Sequence, residues 1–99
     1  MPRGLVRYQH CGCFHYITFG CYHRFEHLGS AEARELFERS LEAMRIPYEF
    51  VVAGYVAMPD HVHLLLSEPK KALLSKAIQA LKLSVSVQSR QRPFWQARY

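Results

Sequence analysis

The sequence predicts an α+β fold of the split β-α-β-β-α-β, ferredoxin-like type, in which both helices cover one face of an antiparallel sheet. Three observations predict it. Two segments with helical spacing of apolar residues alternate with short runs rich in β-branched and aromatic residues. A two-residue turn, Pro59-Asp60, joins two of those runs as antiparallel neighbours. The chain has 99 residues, so we expect residues 1–99 to form one domain.

The first half of the chain predicts one strand and one helix. The strand covers Phe14 to His23, which is rich in aromatic and β-branched residues. Ser30 is a suitable N-cap for the helix that follows it. Ile46-Pro47 is expected to end this helix, because the residue before a proline avoids helical geometry. The helix places its apolar residues on one stripe: Ala33, Leu36, Phe37, Leu41 and Met44.

The second half predicts two strands, a helix and a last short strand. Tyr48 to Met58 is apolar nearly throughout, which indicates a central strand. His61 to Ser67 predicts the third strand, and Phe94 to Tyr99 predicts the fourth. The second helix runs from about Ala72 to Gln88. Its apolar stripe consists of Leu74, Ala77, Ile78, Leu81 and Val85.

A pair of histidines lies at the start of the third strand. Because successive side chains of a strand point to opposite faces, His61 and His63 share one face, and Val62, Leu64 and Leu66 face the helices. Two neutral imidazoles side by side on a strand are candidate metal ligands. A pair is an incomplete metal site, and two ordinary histidines on a half-exposed strand are the alternative interpretation.

Basic residues are concentrated near the C-terminus. The net charge is +5, and the segment from Lys70 to the end holds seven basic residues and no acidic one. This distribution suggests a polyanionic partner, with nucleic acid as the first candidate, and a plain solubilising surface is the alternative interpretation. The candidate phosphate contacts are Arg24, Lys76, Lys82, Arg90, Arg92 and Arg98. The candidate base-stacking residues are Phe94, Trp95 and Tyr99, although core packing is the favoured interpretation for Trp95.

The cysteine pattern and the hydropathy indicate the cellular compartment in which the protein is expected. Cys11, Cys13 and Cys21 are odd in number and clustered, which favours reduced thiols. Together with His10 and His23 they could bind zinc, but Cys-x-Cys is not the usual spacing of structural zinc sites. No apolar run approaches the ~20 residues of a membrane span. We therefore expect a cytoplasmic protein that is not bound to a membrane.

Three segments together resemble one family. Met58 to Leu66 closely resembles the His-hydrophobic-His strand of the HUH single-strand DNA transposases, and the nearest branch is the REP-associated tyrosine transposases with their insertion-sequence relatives. Tyr16-Ile17-Thr18-Phe19, followed by Arg24, resembles the first strand of that family. Phe94 to Tyr99 resembles its Trp-Gln-x-x-aromatic segment. The resemblance covers nearly the whole chain.

The resemblance implies a DNA-transposition domain that binds single-stranded or hairpin DNA. Intact relatives cleave and rejoin the strand with a tyrosine nucleophile and Mg²⁺ or Mn²⁺, which the two histidines and a third polar side chain hold. It also implies that the nucleophile and the third ligand belong to a helix after the Trp-Gln segment, which this chain is expected to lack. Tyr99 therefore receives no catalytic role, no catalytic residue is assigned, and Tyr16 is interpreted as a strand packing residue.

Two other functions are open from the sequence. One is a non-catalytic ferredoxin-like module that binds RNA or DNA with its sheet face, although His61, His63 and Leu65 are not the stacking aromatics of such modules. The other is a protein interaction domain, in which a second copy of the chain covers Leu65 and a homodimer results.

Overall fold

The computed structural model describes residues 14–96, which form an antiparallel sheet with two helices packed on one face. The strands are β1 (Phe14–Gly20), β2 (Val52–Met58) and β3 (His61–Ser67), and the helices are α1 (Ala31–Tyr48) and α2 (Leu74–Gln88). The strand order is β1-β3-β2. The predicted α+β, ferredoxin-like arrangement is confirmed.

The central strand is β3, and the prediction that Tyr48 to Met58 is central is wrong. β2 pairs with β3 from Val52 to Met58, and β1 pairs with the other side of β3, with Thr18 opposite His63. A continuous apolar run predicts a central strand when both faces are covered. Here Val56 and Met58 lie on the uncovered face of the sheet and are exposed.

β1 is shorter than predicted because the chain turns after Gly20. Cys21 forms an isolated bridge, and Tyr22–Arg24 form a single 3-10 turn in place of the predicted end of the strand at His23. The predicted fourth strand is described only to Gln96. Within the described part, Trp95 pairs with Cys21 as one antiparallel bridge beside β1. Residues 97–99 lie outside the described residues.

α1 begins as predicted and ends later than predicted. The Ser30 hydroxyl accepts a 3.1 Å hydrogen bond from the Ala33 backbone N–H, as an N-cap does. The helix continues past Pro47 to Tyr48 and ends at Glu49, which has a left-handed φ of 56°. Near a helix end a proline removes one hydrogen bond without breaking the turns that precede it. Tyr48, the last residue of the helix, packs against the core.

One hydrophobic core joins the helices to the sheet. Val62, Leu64 and Leu66 are fully buried on the helix side of β3, as predicted. The predicted apolar stripes of both helices either belong to this core or pack against it, although α2 begins at Leu74 and not at Ala72. The two helices are also joined by a 2.9 Å hydrogen bond from the Ser84 hydroxyl to the buried Ser40 hydroxyl. No helix in residues 14–96 is long and apolar enough to cross a membrane.

Neighbouring leucines of β3 provide a matched test of this packing. Leu64→Ala removes a fully buried side chain and is expected to lower the free energy of unfolding by about 2–5 kcal/mol. Leu65→Ala, on the open face, is expected to cost less than about 1 kcal/mol. Urea unfolding followed by circular dichroism measures both. Equal losses in the two variants would contradict the assignment of the two faces.

Candidate functional site at the histidine pair

The two histidines of β3 converge on the open face of the sheet. The Nε2 atoms of His61 and His63 lie 3.0 Å apart, and the two rings meet edge to face with centroids 4.7 Å apart. The prediction that they share one face, opposite the core, is therefore confirmed by the burial of Val62 and Leu64 on the other side. The two Nε2 atoms are close enough to act as ligands of a single metal ion.

Asp60 and Arg24 contact His61 at its Nδ1 atom, on the ring edge away from His63. The His61 Nδ1 lies 2.6 Å from the Asp60 Oδ1, and the Arg24 Nε donates a 3.0 Å hydrogen bond to the Asp60 Oδ2. The Arg24 guanidinium also lies 3.5 Å from the His61 Nδ1. The hydrogen bonds from His61 and then from Arg24 hold the pKa of the Asp60 carboxyl below its usual value. Asp60 is therefore a carboxylate at neutral pH.

The backbone at Arg24 adopts an uncommon conformation that directs this side chain. His23 and Arg24 both have positive φ, 52° and 57°, a region that residues other than glycine rarely occupy. The chain thereby reverses after Tyr22, and the Arg24 side chain returns toward Asp60 and the start of β3. Non-glycine residues in this region cluster at functional sites, where the surrounding structure maintains them.

β1 holds His63, and one prediction about β1 is wrong. Tyr16 was interpreted as a packing residue, but it is 65% exposed on the open face. Its hydroxyl lies 2.5 Å from the His63 Nδ1, and the Thr18 hydroxyl lies 3.1 Å from the same atom. The period of two that buries Ile17 and Phe19 places Tyr16 and Thr18 on the opposite face, so the signal was present in the sequence.

Backbone hydrogen bonds fix the turn that carries Asp60. The Cys21 N–H donates to the Asp60 carbonyl and the Leu28 N–H donates to the Pro59 carbonyl, both at 2.9 Å. These bonds anchor the two-residue turn to the segment that follows β1. The position of His61 relative to Arg24 is therefore set by the main chain as well as by side chains.

The described residues supply two candidate metal ligands at this site. Residues 14–96 contain no group of three or more histidine, cysteine, aspartate or glutamate side chains placed to hold a metal ion. Asp60 contacts the Nδ1 edge of His61, away from the converging Nε2 atoms. Within the described part of the chain, the pair thus supplies two candidate ligands.

The predicted phosphate contacts do not form one patch. Arg24 is exposed and contacts the histidine pair. Lys76 and Lys82 belong to α2, in the layer on the opposite side of the sheet, and line a groove between α2 and residues 93–96. Arg90 and Arg92 are exposed in the segment after α2. Arg98 lies outside the described residues.

Lys82, a candidate phosphate contact from the sequence, is partly buried and bonds within the protein. Its ammonium donates a 2.9 Å hydrogen bond to the Gln96 carbonyl and lies 5.7 Å from the centroid of the Phe19 ring. Partial burial lowers the pKa of Lys82 below its usual value. The Trp95 Nε1–H donates to the Lys82 carbonyl at 3.0 Å. Lys82 therefore attaches the C-terminal segment to α2.

The aromatic residues of the C-terminal segment are packed in the core. Trp95 and Phe94 are 9% and 2% exposed, and the Trp95 ring meets Phe19 edge to face with centroids 5.0 Å apart. The favoured interpretation of Trp95 as a core residue is confirmed, and base stacking by Phe94 in this arrangement is excluded by its burial. Tyr99 lies outside the described residues.

Cys21 is fully buried on the helix side of the sheet, whereas His23 is exposed. Burial raises the pKa of the Cys21 thiol to about 11, although backbone hydrogen bonds from His27 and Leu28 act in the opposite direction. A buried neutral thiol is a poor zinc ligand, in keeping with the favoured prediction of free thiols. The other members of the predicted zinc alternative, His10, Cys11 and Cys13, lie outside the described residues.

Apolar and aromatic side chains surround the histidines on the open face. Tyr16 and Leu65 are opposite each other across the β1–β3 pair, and Val56 is opposite His63 across the β2–β3 pair. Phe14 and Met58 extend the same face and are also exposed. The open face thus combines imidazole groups with exposed apolar surface, a composition that suits either stacked bases or a protein partner.

Comparison with known proteins identifies the family. Residues 12–99 match the sequence model of the family described as "Transposase IS200 like". The chain belongs to the IS200-like transposase family. The resemblance inferred from the sequence motifs is thereby confirmed at the level of the family. No curated protein matches the chain.

Two solved structures share the fold of this family member. A REP-associated tyrosine transposase bound to a REP hairpin superposes with a TM-score of 0.77 and 18% identity, covering 94% of this chain and 56% of that one. A candidate transposase from Deinococcus radiodurans R1, solved at 1.90 Å, superposes with a TM-score of 0.66 and 21% identity, covering 88% and 63%. The chain therefore spans about three-fifths of the length of these relatives.

The burial of Cys21 predicts slow alkylation in the folded protein. A rise of its pKa from 9.0 to about 11 lowers the thiolate fraction near pH 8 about 100-fold. The folded state disfavours the thiolate, so the neutral thiol makes its full contribution to the free energy of unfolding below about pH 9. This contribution is lost as the pH rises toward 11. Iodoacetamide labelling at pH 8, followed by peptide mass spectrometry, measures the reaction at Cys21.

The matched control for this measurement is the same protein in guanidinium chloride, where Cys21 is expected to react at the rate of an ordinary cysteine. Equal labelling rates in the folded and unfolded protein would show that the thiol is accessible.

Proposed function

We propose that this chain is the DNA-binding and metal-binding domain of a tyrosine transposase and binds single-stranded or hairpin DNA beside His61 and His63. The observation that carries the proposal is the 3.0 Å separation of the two Nε2 atoms. Two adjacent ligands of an octahedral ion at about 2.1 Å are about 3.0 Å apart. The side chains of the pair therefore fit one divalent cation.

The surroundings of the pair support a metal site. Ligating histidines commonly use their second ring nitrogen to bond a carboxylate or another oxygen, which orients the ring. His61 meets Asp60 in this way, and His63 meets Tyr16 and Thr18. Mg²⁺ or Mn²⁺ held by the pair and by a third polar group would supply Lewis-acid polarisation of a phosphate oxygen. Arg24 is placed to contact a neighbouring phosphate through its exposed guanidinium.

The DNA partner is supported by the family and by one structural neighbour. The REP-associated tyrosine transposase of similar fold is bound to a REP hairpin, and this chain carries a net charge of +5. The open face offers Tyr16 and Phe14, exposed aromatic rings on which unpaired bases can stack. Strand cleavage and rejoining by a tyrosine is the activity that we propose for the whole protein.

Metal binding is tested by thermal unfolding with and without Mn²⁺. The wild-type protein is expected to gain thermal stability with Mn²⁺, because the ion binds the folded state alone. His61→Ala and His63→Ala are expected to abolish this gain. His23→Asn, at an exposed histidine outside the pair, is the control and keeps a residue that tolerates positive φ. An unchanged gain in both alanine variants would refute the ligand assignment.

DNA binding is tested by fluorescence anisotropy with a hairpin oligonucleotide over a series of salt concentrations. Arg24→Gln is expected to weaken binding and to reduce the salt dependence by about one phosphate contact. Arg39→Gln, an exposed position on α1, is the matched control and should leave both quantities unchanged. Equal effects of the two substitutions would indicate non-specific charge attraction.

Covalent chemistry is tested with a labelled hairpin and Mn²⁺. Among the described tyrosines, Tyr16 is the one that contacts the pair, and its hydroxyl lies on the Nδ1 edge of His63, away from the converging nitrogens. The 99-residue chain is therefore expected to bind the hairpin without forming a tyrosine–DNA adduct. Denaturing gel electrophoresis detects the adduct, and its formation would show that a tyrosine of this chain is the nucleophile.

A second candidate function is dimerisation through the open face. Leu65, Val56 and Phe14 are exposed apolar side chains on this face, and a second copy of the chain would cover them in a homodimer. Size-exclusion chromatography with light scattering, with and without DNA, distinguishes the two proposals. A monomer that forms a one-to-one complex with DNA would exclude dimerisation as the role of this face.

A further inference from the structure

The separation of the two Nε2 atoms restricts where protons can lie on the histidine pair. At 3.0 Å, two unprotonated imidazole nitrogens would direct lone pairs at each other, whereas one N–H and one lone pair form an ordinary hydrogen bond. The spacing therefore suits a cation shared by both nitrogens or a single proton between them. Which histidine carries that proton depends on the partners of the two Nδ1 atoms.

The nearer partner of the His61 Nδ1, the Asp60 carboxylate, accepts hydrogen bonds and cannot donate one, whereas the Arg24 guanidinium, a donor, is farther away at 3.5 Å. An ionised carboxylate has no proton to give, so the 2.6 Å contact with the Asp60 Oδ1 requires the proton on the His61 Nδ1. Arg24 donates to the other carboxylate oxygen at 3.0 Å and holds it in place. In a neutral imidazole the His61 Nε2 then carries a lone pair, which can accept a hydrogen bond from the His63 Nε2 at 3.0 Å.

The partners of His63 can either donate or accept. A hydroxyl group has both an O–H donor and acceptor lone pairs. The Tyr16 hydroxyl at 2.5 Å and the Thr18 hydroxyl at 3.1 Å therefore fit the His63 Nδ1 whether or not it carries a proton. The Tyr16 ring also stacks on the imidazole, with the planes 10° apart, which holds the two groups in register.

We propose that Asp60 and Tyr16 are positioning residues that give the two histidines different tautomers in the metal-free protein. His61 carries its proton on Nδ1. His63 carries its proton on Nε2, donates it to the His61 Nε2, and accepts the Tyr16 O–H at Nδ1. A cation held by both Nε2 atoms would require His63 to release its Nε2 proton to solvent and to take a proton from solvent at Nδ1, and the Tyr16 hydroxyl would turn to accept a hydrogen bond from the new Nδ1–H. The charge of the pair is unchanged by this exchange.

This inference rests on the proposed function only for the role of the cation. The Asp60 carboxylate keeps a lone pair on the His61 Nε2 with or without the ion. The Tyr16 and Thr18 hydroxyls allow His63 to carry its proton on either ring nitrogen. A second carboxylate in place of Tyr16 would direct two lone pairs at each other in the metal-free protein. Because one histidine contacts a carboxylate and the other contacts hydroxyls, the two imidazole rings can keep the same spacing with and without the ion.

Long-range ¹H–¹⁵N NMR spectra of protein with labelled histidines test the tautomers directly. The measurement is made at pH 8 with a chelator present, where imidazoles are ordinarily neutral. We expect an Nδ1–H pattern for His61 and an Nε2–H pattern for His63, with each signal assigned by its loss in a His→Gln variant. Addition of Zn²⁺, a diamagnetic probe, is expected to convert His63 to Nδ1–H. The same tautomer in both residues before Zn²⁺, or an unchanged His63 after its binding, would overturn the proposal.

Substitutions at the partners test the positioning roles. Asp60→Ala is expected to remove the uniform Nδ1–H pattern of His61 and to weaken Zn²⁺ binding by about 10- to 100-fold. Asp60→Asn retains an acceptor oxygen and is expected to restore the pattern, so a purely structural role for Asp60 is distinguished from positioning. Circular dichroism confirms that each variant is folded.

The double substitution Tyr16→Phe with Thr18→Val is expected to weaken Zn²⁺ binding and to leave the His61 signal unchanged. Tyr55→Phe is the matched control, because the Tyr55 hydroxyl bonds Glu38 and not a histidine. An effect of the same size in both proteins would overturn the role of Tyr16.

The two proposals fail in distinguishable ways. If the wild-type protein shows the expected tautomers but binds neither Mn²⁺ nor Zn²⁺, the metal function is refuted and the positioning inference holds for the metal-free protein. If the wild-type protein binds the ions and Asp60→Ala changes neither the tautomer nor the affinity, the positioning inference is refuted and the metal function holds.

Discussion

The alternation of side chains along β3 is the constraint on which the rest of the structure depends. Val62, Leu64 and Leu66 are buried under the helices, and His61 and His63 project from the other face of the same strand. A shift of one residue in the register would place the imidazoles in the core and the aliphatic side chains in solvent. The hydrophobic core therefore fixes the orientation of the candidate site without contacting it.

Strand pairing brings the other members of the site to these histidines. Thr18 is opposite His63, and Gly20 is opposite His61. The Arg24 side chain packs beside this glycine, and a Cβ added at Gly20 would lie 3.7 Å from the Arg24 Cδ, an ordinary contact distance. The family match covers residues 12–99, and the fold is shared with a solved REP-associated tyrosine transposase.

Patterns local to one segment predicted much of this protein. The period of two in β3 located the histidine pair, and the spacing of apolar residues located both helices and most of the core. The Ser30 cap and the two-residue hairpin turn were also evident, since each depends on residues adjacent in sequence. The family could be recognised because three short motifs occur in the correct order.

Features that depend on contacts between distant segments could not be predicted in the same way. The edge position of β2 depends on which strands pair, and Lys82 is half-buried because residues 93–96 pack over α2. Asp60 and Arg24 are 36 positions apart and meet only because the main chain reverses at His23. Tyr16 is an exception, because its exposure follows from the alternation of β1.

The left-handed backbone at His23 and Arg24 has a consequence for how this domain can evolve or be engineered. Glycine at either position would relieve the unfavourable conformation, so selection for heat resistance alone would favour it. Glycine at Arg24 would delete the guanidinium, and glycine at His23 would loosen the chain that directs it. At these two residues, a substitution that raises thermal stability would therefore also disturb the Arg24 contacts with Asp60 and His61.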